Sequence, residues 1–269
     1  NASYGFVIGE GGVIFRFNGT TWFRETINTT ANFRRIIVNG SFVWAIGDGG
    51  IVWRYNGRGW VRIDLNINVD LVDITFIDAR IGWIIGKGGL TWRTIDGGRT
   101  WTIININVGL DVEIRCLRFA SRWVGWASCA NGLVLQTVDG GRTWIKIDLN
   151  VNVDLLFVFY SRGMGYIGGA GGLCWSFRTD HLQFVNGVHV SRVNVDVSVD
   201  LRHCRFYDAY LGIVVGVDGV LRVTLDGGLS WLRRDIGTTF RWNNVCIVDS
   251  VFFVVGDNGC IYRSIDLGV

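Results

Sequence analysis

At 269 residues with 49% apolar side chains, the chain can bury a large core. Its formal net charge of +3 is too balanced to imply nucleic acid or an anionic membrane as a partner. No apolar run approaches the ~18–20 residues of a membrane-spanning helix, and the stretches 155–160 and 251–255 have strand length. Proline is absent where ~5% is usual, and arginine outnumbers lysine by 24 to 2. The chain opens without Met or a signal-like start, so it reads as a processed or partial chain.

Taken in order, the chain repeats one plan seven times. The glycines Gly12, Gly50, Gly89, Gly132, Gly172, Gly219 and Gly259 each follow a strand-like run and lie 38, 39, 43, 40, 47 and 40 residues apart. A period of ~40 residues is the mark of a radial or solenoidal repeat. Units one and two carry short turns, Asn18-Gly19 and Asn56-Gly57, before Trp22 and Trp60. Unit three is the type: strands at 73–77, 82–85, 90–95 and 101–104, with turns at 78–80 and 86–89. Its last turn is Thr94-Ile95-Asp96-Gly97-Gly98-Arg99-Thr100-Trp101. Aspartate there can accept hydrogen bonds from the turn's own N–H groups, glycine supplies φ > 0, and tryptophan brings apolar area to bury. The phrase returns in unit four from Thr137 through Asp139 to Trp144, and in unit six from Thr224 through Asp226 to Trp231. In unit five it is degenerate over 176–184, and residues 185–198 read as a loop. The chain starts at Tyr4 in a second strand and stops after the third strand of unit seven. Four strands per ~40 residues define the blade of a β-propeller. The expectation is therefore an all-β, seven-bladed β-propeller with four-stranded antiparallel blades, a single domain over residues 1–269, and incomplete terminal blades.

The second strands keep Phe6, Trp44, Trp83, Trp126, Tyr166, Ile213 and Phe253 in register, and the third strands keep Trp53, Trp92 and Trp175. These rings are expected to fill the wedges between blades. The cysteines 116, 129, 174, 204, 246 and 260 have neither C-x-x-C nor Cys/His spacing, so no metal site is expected. They read as small buried hydrophobes; a disulfide such as Cys116–Cys129 stays open in an oxidising compartment.

The tandem of G-x-G-G, strand and T-x-D-G-G-x-T-W resembles the Asp-box propellers, and in particular the photosystem II stability and assembly factor family. The likeness is strong in units three, four and six and spans nearly the whole chain. The box is structural and is shared with sialidases, so it specifies the fold better than the activity. The resemblance implies a non-catalytic protein without cofactor, in a thylakoid lumen or periplasm. It would dock on a membrane-bound photosystem or reaction-centre complex, with no role in nucleic-acid binding. It also implies an arginine-rich patch. The first strands here carry Arg34 and Arg35, Arg115 and Arg118, Arg202 and Arg205, and Arg241. Because first strands line a propeller's channel, these guanidiniums could receive partner carboxylates; pairing with aspartates between blades is the alternative.

Two rivals come from other classes. A sialidase-like glycosidase needs an arginine triad, a Tyr–Glu pair and an acidic proton donor. Arginines and Tyr160, Tyr207 or Tyr210 exist, but the only glutamates are Glu10, Glu25 and Glu113, and no carboxylate pair can be assigned. His181, His189 and His203 lie in no nucleophile motif, and His203 reads as a packed strand residue. A sugar-binding propeller rests on the 13 tryptophans alone.

Overall fold

The computed structural model describes residues 4–104, 106, 112–161, 163–178, 190–248 and 251–264. Seven antiparallel sheets follow one another along the chain. Sheet 1 holds β1 (Gly5–Ile8), β2 (Ile14–Phe17) and β3 (Trp22–Arg24). Sheet 2 holds β4 (Phe33–Asn39), β5 (Phe42–Gly47), β6 (Val52–Tyr55) and β7 (Trp60–Ile63). Sheet 3 holds β8 (Leu71–Phe76), β9 (Gly82–Gly86), β10 (Thr91–Thr94) and β11 (Thr102–Ile104). Sheet 4 holds β12 (Ile114–Phe119), β13 (Gly125–Cys129), β14 (Leu133–Thr137) and β15 (Ile145–Asp148). Sheet 5 holds β16 (Leu155–Ser161), β17 (Met164–Gly169), β18 (Cys174–Arg178) and β19 (Val190–Val193). Sheet 6 holds β20 (Leu201–Phe206), β21 (Gly212–Gly216), β22 (Leu221–Thr224) and β23 (Leu232–Arg233). Sheet 7 holds β24 (Trp242–Val248), β25 (Val251–Gly256) and β26 (Ile261–Ser264).

The fold is a seven-bladed β-propeller, its middle five blades four-stranded and its first and last three-stranded among the described residues. Every blade is a meander, as short hairpin connections between sequential strands require. The loop expected over 185–198 is corrected in part. Residues 190–193 form β19, paired to β18 as Cys174↔Val193 through Phe177↔Val190. The connection between these strands is longer than the seven residues of the intact boxes, which moves the fourth strand downstream of Phe184. Phe184, His181 and His189 lie outside the described residues.

The chain divides into two compact units, residues 1–126 with 135–146, and residues 127–134 with 147–269. In the first, Ile14, Phe33, Ala45, Ile51 and Trp53 join sheets 1 and 2. Trp44, Ile46, Leu71, Ile74, Ile84 and Trp92 join sheets 2 and 3. In the second, Phe157, Phe159, Tyr166, Leu201, Cys204, Phe206 and Trp231 join sheets 5 and 6. Ile213, Val215, Leu221, Trp242, Phe252 and Val254 join sheets 6 and 7. Of the second-strand residues, Trp44, Trp83, Trp126, Tyr166 and Ile213 are buried, while Phe6 and Phe253 are half-buried. All six cysteines are free thiols; Cys116, Cys129, Cys174 and Cys204 are buried, Cys260 is half-buried and Cys246 is exposed.

The boxed hairpins show why their residues recur. Asp96 Oδ1 accepts the N–H groups of Arg99 and Thr100 at 3.0 Å each, and Oδ2 accepts the Thr100 hydroxyl at 2.6 Å. The Thr94 hydroxyl donates to Asp96 Oδ1 and accepts the Gly98 N–H, both at 2.8 Å. Asp139 and Asp226 repeat this arrangement with Thr137 and Thr143, and with Thr224 and Ser230. The donors hold the Asp96 carboxyl well below the usual range, and that of Asp226 down to about 2. Trp101 then packs edge-on against Trp44 and Phe76, ring centroids 5.9 Å away in each case. The turn glycines have their own reason. Gly219 sits at φ +71° and a Cβ there would lie 2.0 Å from the Thr238 carbonyl oxygen, so only glycine fits.

Candidate functional site

The first strands carry the arginines singled out above. In the first unit β8 lies beside both β4 and β12, and in the second β20 lies beside both β16 and β24. Five of these strands share a feature that alternation alone does not foretell. Their pairing with the second strand shifts register between Phe33 and Arg35, Leu71 and Asp73, Leu155 and Phe157, Leu201 and His203, and Trp242 and Asn244. Each shift is a β-bulge that leaves one residue outside the ladder and re-aims the side chains around it.

Arg34 and Arg35 show the effect in neighbouring residues. Arg34 occupies the bulge of β4, is 45% exposed, and reaches Asp48 and, at 3.8 Å, Asp70. Arg35 turns inward, is 13% exposed, and puts Nε 3.2 Å from Asp73 Oδ1. Arg118 of β12 approaches the same carboxylate from the other side, with Nη1 2.6 Å from Oδ2. The Leu117 N–H donates to that oxygen at 3.0 Å, and the Ile74 N–H to Oδ1 at 3.0 Å. Asp73 is 3% exposed. Burial alone would raise its pKa, but the charges of Arg118 and Arg35 and the Leu117 N–H hold it below the usual carboxylate value. The Arg118 guanidinium is raised in turn, with Asp73 outweighing its own desolvation. Three successive first strands are thus tied by one buried, fully bonded carboxylate.

The other arginines have shallower surroundings. Arg115, next to the start of β12, is half-buried with Nη2 2.8 Å from Glu113. Arg241, just before β24, is half exposed and 3.8 Å from Asp257. Arg202 occupies the bulge of β20 and is half-buried. Arg205 lies over the Phe159 ring, 5.3 Å from its centroid. The seven arginines therefore sort by place in the strand. Arg34, Arg115, Arg202 and Arg241 stand at strand starts, and Arg35, Arg118 and Arg205 lie deeper. Asp73 was not singled out by sequence. The readable signal was an ionisable residue inside the β-branched run Leu71-Val72-Asp73-Ile74-Thr75-Phe76, where a charge requires a partner.

Other chemistry is sparse. His203 is buried at 7% exposure within β20. Tyr207 and Tyr210 lie on an exposed turn. Glu25 is held by Arg16 at 2.5 Å. Among the described residues no cluster of His, Cys, Asp and Glu could hold a metal ion, and no helix is long and apolar enough to cross a membrane.

Boxes, marker turns and blades together define an Asp-box β-propeller. The chain resembles the photosystem II assembly factor family: residues 52–154 match the model of "Photosynthesis system II assembly factor YCF48". Solved structures share the architecture over nearly the full chain. "YCF48 bound to D1 peptide" superposes with a TM-score of 0.78 at 16% identity, covering 98% of this chain and 88% of that one. YCF48 from Cyanidioschyzon merolae gives 0.80 at 16% identity, covering 97% and 91%. The Cps50 (Swd1) β-propeller domain of Myceliophteria thermophila gives 0.75 at 8% identity, covering 97% and 92%. At such identities the superpositions speak for the fold alone. No curated protein sequence matches the chain.

Proposed function

We propose that this propeller is a non-catalytic assembly or accessory factor that docks on a membrane-bound photosynthetic complex, in a thylakoid lumen or periplasm. The observation that carries the reading is the match of residues 52–154 to the photosystem II assembly factor model. The solved YCF48, which is bound to a D1 peptide, agrees with it. The docking groups are Arg34, Arg115, Arg202 and Arg241. The ion pairs of Arg34, Arg115 and Arg241 are surface pairs worth ~0–1 kcal/mol, so a partner carboxylate can displace them at little cost. Arg35 and Arg118 are excluded from the docking set, because each already points its guanidinium at the buried Asp73.

The glycosidase reading is weaker on the same geometry. An arginine triad must offer guanidiniums to a substrate carboxylate, and the two that converge do so on the protein's own Asp73. The aspartates of the three boxes are likewise engaged by their turns.

Detergent-solubilised photosynthetic membranes provide the test. The tagged chain should capture reaction-centre subunits, and capture should weaken as salt rises through the range where exposed charges are screened. A variant with Arg34, Arg115, Arg202 and Arg241 changed to Glu should lose it while keeping its melting temperature. Retained capture by that variant would remove the arginines from the interface. Turnover of a sialoside reporter by the unaltered chain would replace the reading altogether.

A further inference from the structure

Sheets 3 and 6 are built on one template, down to two turns that touch at the far end of each blade. In sheet 3 the Gly97 N–H donates to the Arg80 carbonyl at 2.8 Å, and in sheet 6 the Gly227 N–H donates to the Tyr210 carbonyl at 2.8 Å. A Cβ on either glycine would lie 2.8 Å from a matching carbonyl oxygen, that of Ala79 or Ala209. Asp78 and Asp208 each cap their turn by accepting two backbone N–H groups at 2.7–2.8 Å. The backbones agree, but the side chains they present do not. Where sheet 3 exposes Arg80 and Arg99, sheet 6 exposes Tyr210 and Leu229, at 67% and 87%. Tyr207, in the place of Ile77, is 44% exposed, and Leu225 and Leu232 are 47% and 45% exposed. Two cations have thus been exchanged for apolar groups at positions far apart in sequence and adjoining in space.

We propose that this end of sheet 6 seats in the interfacial layer of a lipid bilayer. Leucine at a hairpin apex and tyrosine beside it have the chemistry of that layer. The aliphatic group enters the acyl boundary while the phenol stays at headgroup level. The acidic groups of the two turns do not oppose contact strongly, because Asp208 and Asp226 are turned into the donors of their own turns. Arg233, 72% exposed and next to Leu232, supplies a cation for headgroup phosphate. A protein partner is the weaker fit: five partly exposed side chains fall short of the ~800 Å² per side of a stable interface. The patch is also separate from the docking arginines. Arg202 starts β20 and Tyr207 follows its end, about 16 Å away at ~3.3 Å per residue. One blade can therefore touch lipid at one end and a membrane complex at the other.

Flotation of the intact chain with phosphatidylcholine vesicles tests this, and it needs no photosynthetic complex, so its outcome is independent of the docking proposal. The comparison variant is Tyr210→Arg with Leu229→Arg, which installs the residues that sheet 3 carries in the same turns. The unaltered chain should float with uncharged vesicles irrespective of salt, and the variant's bound fraction should fall about tenfold or more. Equal flotation of the two proteins would overturn the proposal. So would flotation only with anionic vesicles at low salt, which would mark simple charge attraction. In detergent, without a bilayer, the variant should capture the membrane complex as the unaltered chain does. Loss of capture there would assign the two turns to the protein partner instead.

Discussion

The inner strands of the two units solve one packing problem in two ways. At the third and fifth positions of β4, β8 and β12, the first unit places Arg35, Asp73 and Arg118, two cations closed on one carboxylate. At the same positions of β16 and β20, the second unit places Phe157, Phe159, His203 and Arg205. There Phe159 stacks on Phe206 with centroids 5.9 Å apart, and Arg205 covers its other neighbourhood as a cation over a ring. The bulged backbone accepts either solution, so the ladder does not demand charge. What differs is how each fails. A buried ion cluster loses everything when one member goes, whereas an aromatic layer loses area and leaves a void.

The largest effect expected from that contrast is at Asp73. Asp73→Ala leaves two buried guanidiniums without a counter-ion and should cost ~3–5 kcal/mol in urea unfolding. Replacing all three members, Arg35→Met with Asp73→Leu and Arg118→Met, should recover most of this, because an apolar cluster of similar volume is often neutral or better. If the triple variant is no better than Asp73→Ala, the two inner layers are not interchangeable.

A smaller effect belongs to the boxed hairpins, which are alike in both units. Thr94→Val or Thr224→Val strands the N–H of a buried glycine and should cost ~1–3 kcal/mol. The same turns give a pH signature. The Asp226 carboxyl is depressed to about 2 when folded, against ~3.9 in an unfolded chain. Its contribution is therefore present above pH ~4 and is lost as the pH falls toward 2. Unfolding midpoints should fall across that window, and Asp226→Asn should flatten this part of the profile.

The smallest effect sharpens the comparison within a single strand. Arg34→Ala should change stability by less than ~0.5 kcal/mol, as exposed ion pairs do. Arg35→Ala, one residue away, should cost several times more, because it unbalances Asp73. Equal costs for the two would mean that the bulge does not separate their roles.

Much of the architecture was legible because its causes are local. Glycine at φ > 0, aspartate capping its own turn and tryptophan closing the hairpin act within eight residues, so the period and the strands could be read directly. The site was legible only in part. The arginines stood out by type and register, but their sorting depends on the bulges, which period-two alternation does not reveal. Arg34 and Arg35 look equivalent on paper and are opposite in fact. Asp73 passed unnoticed because its partners come from the sheets on either side. The fourth strand of sheet 5 does not show in the sequence, because the box is degenerate over 176–184 and no tryptophan marks where the strand opens.

The boxed hairpins also report on their neighbours. A Cβ on Gly98 would lie 2.2 Å from the indole of Trp44 in the preceding sheet, and one on Gly228 would lie 2.8 Å from the Tyr166 ring. The Gly98 amide is held by Thr94 of its own hairpin and roofed by a ring from sheet 2. Solvent can reach that amide only when two sheets part together. Its deuterium uptake would therefore follow the separation of a pair of blades and not the fraying of one, making this glycine a reporter of how far cooperativity spreads from repeat to repeat.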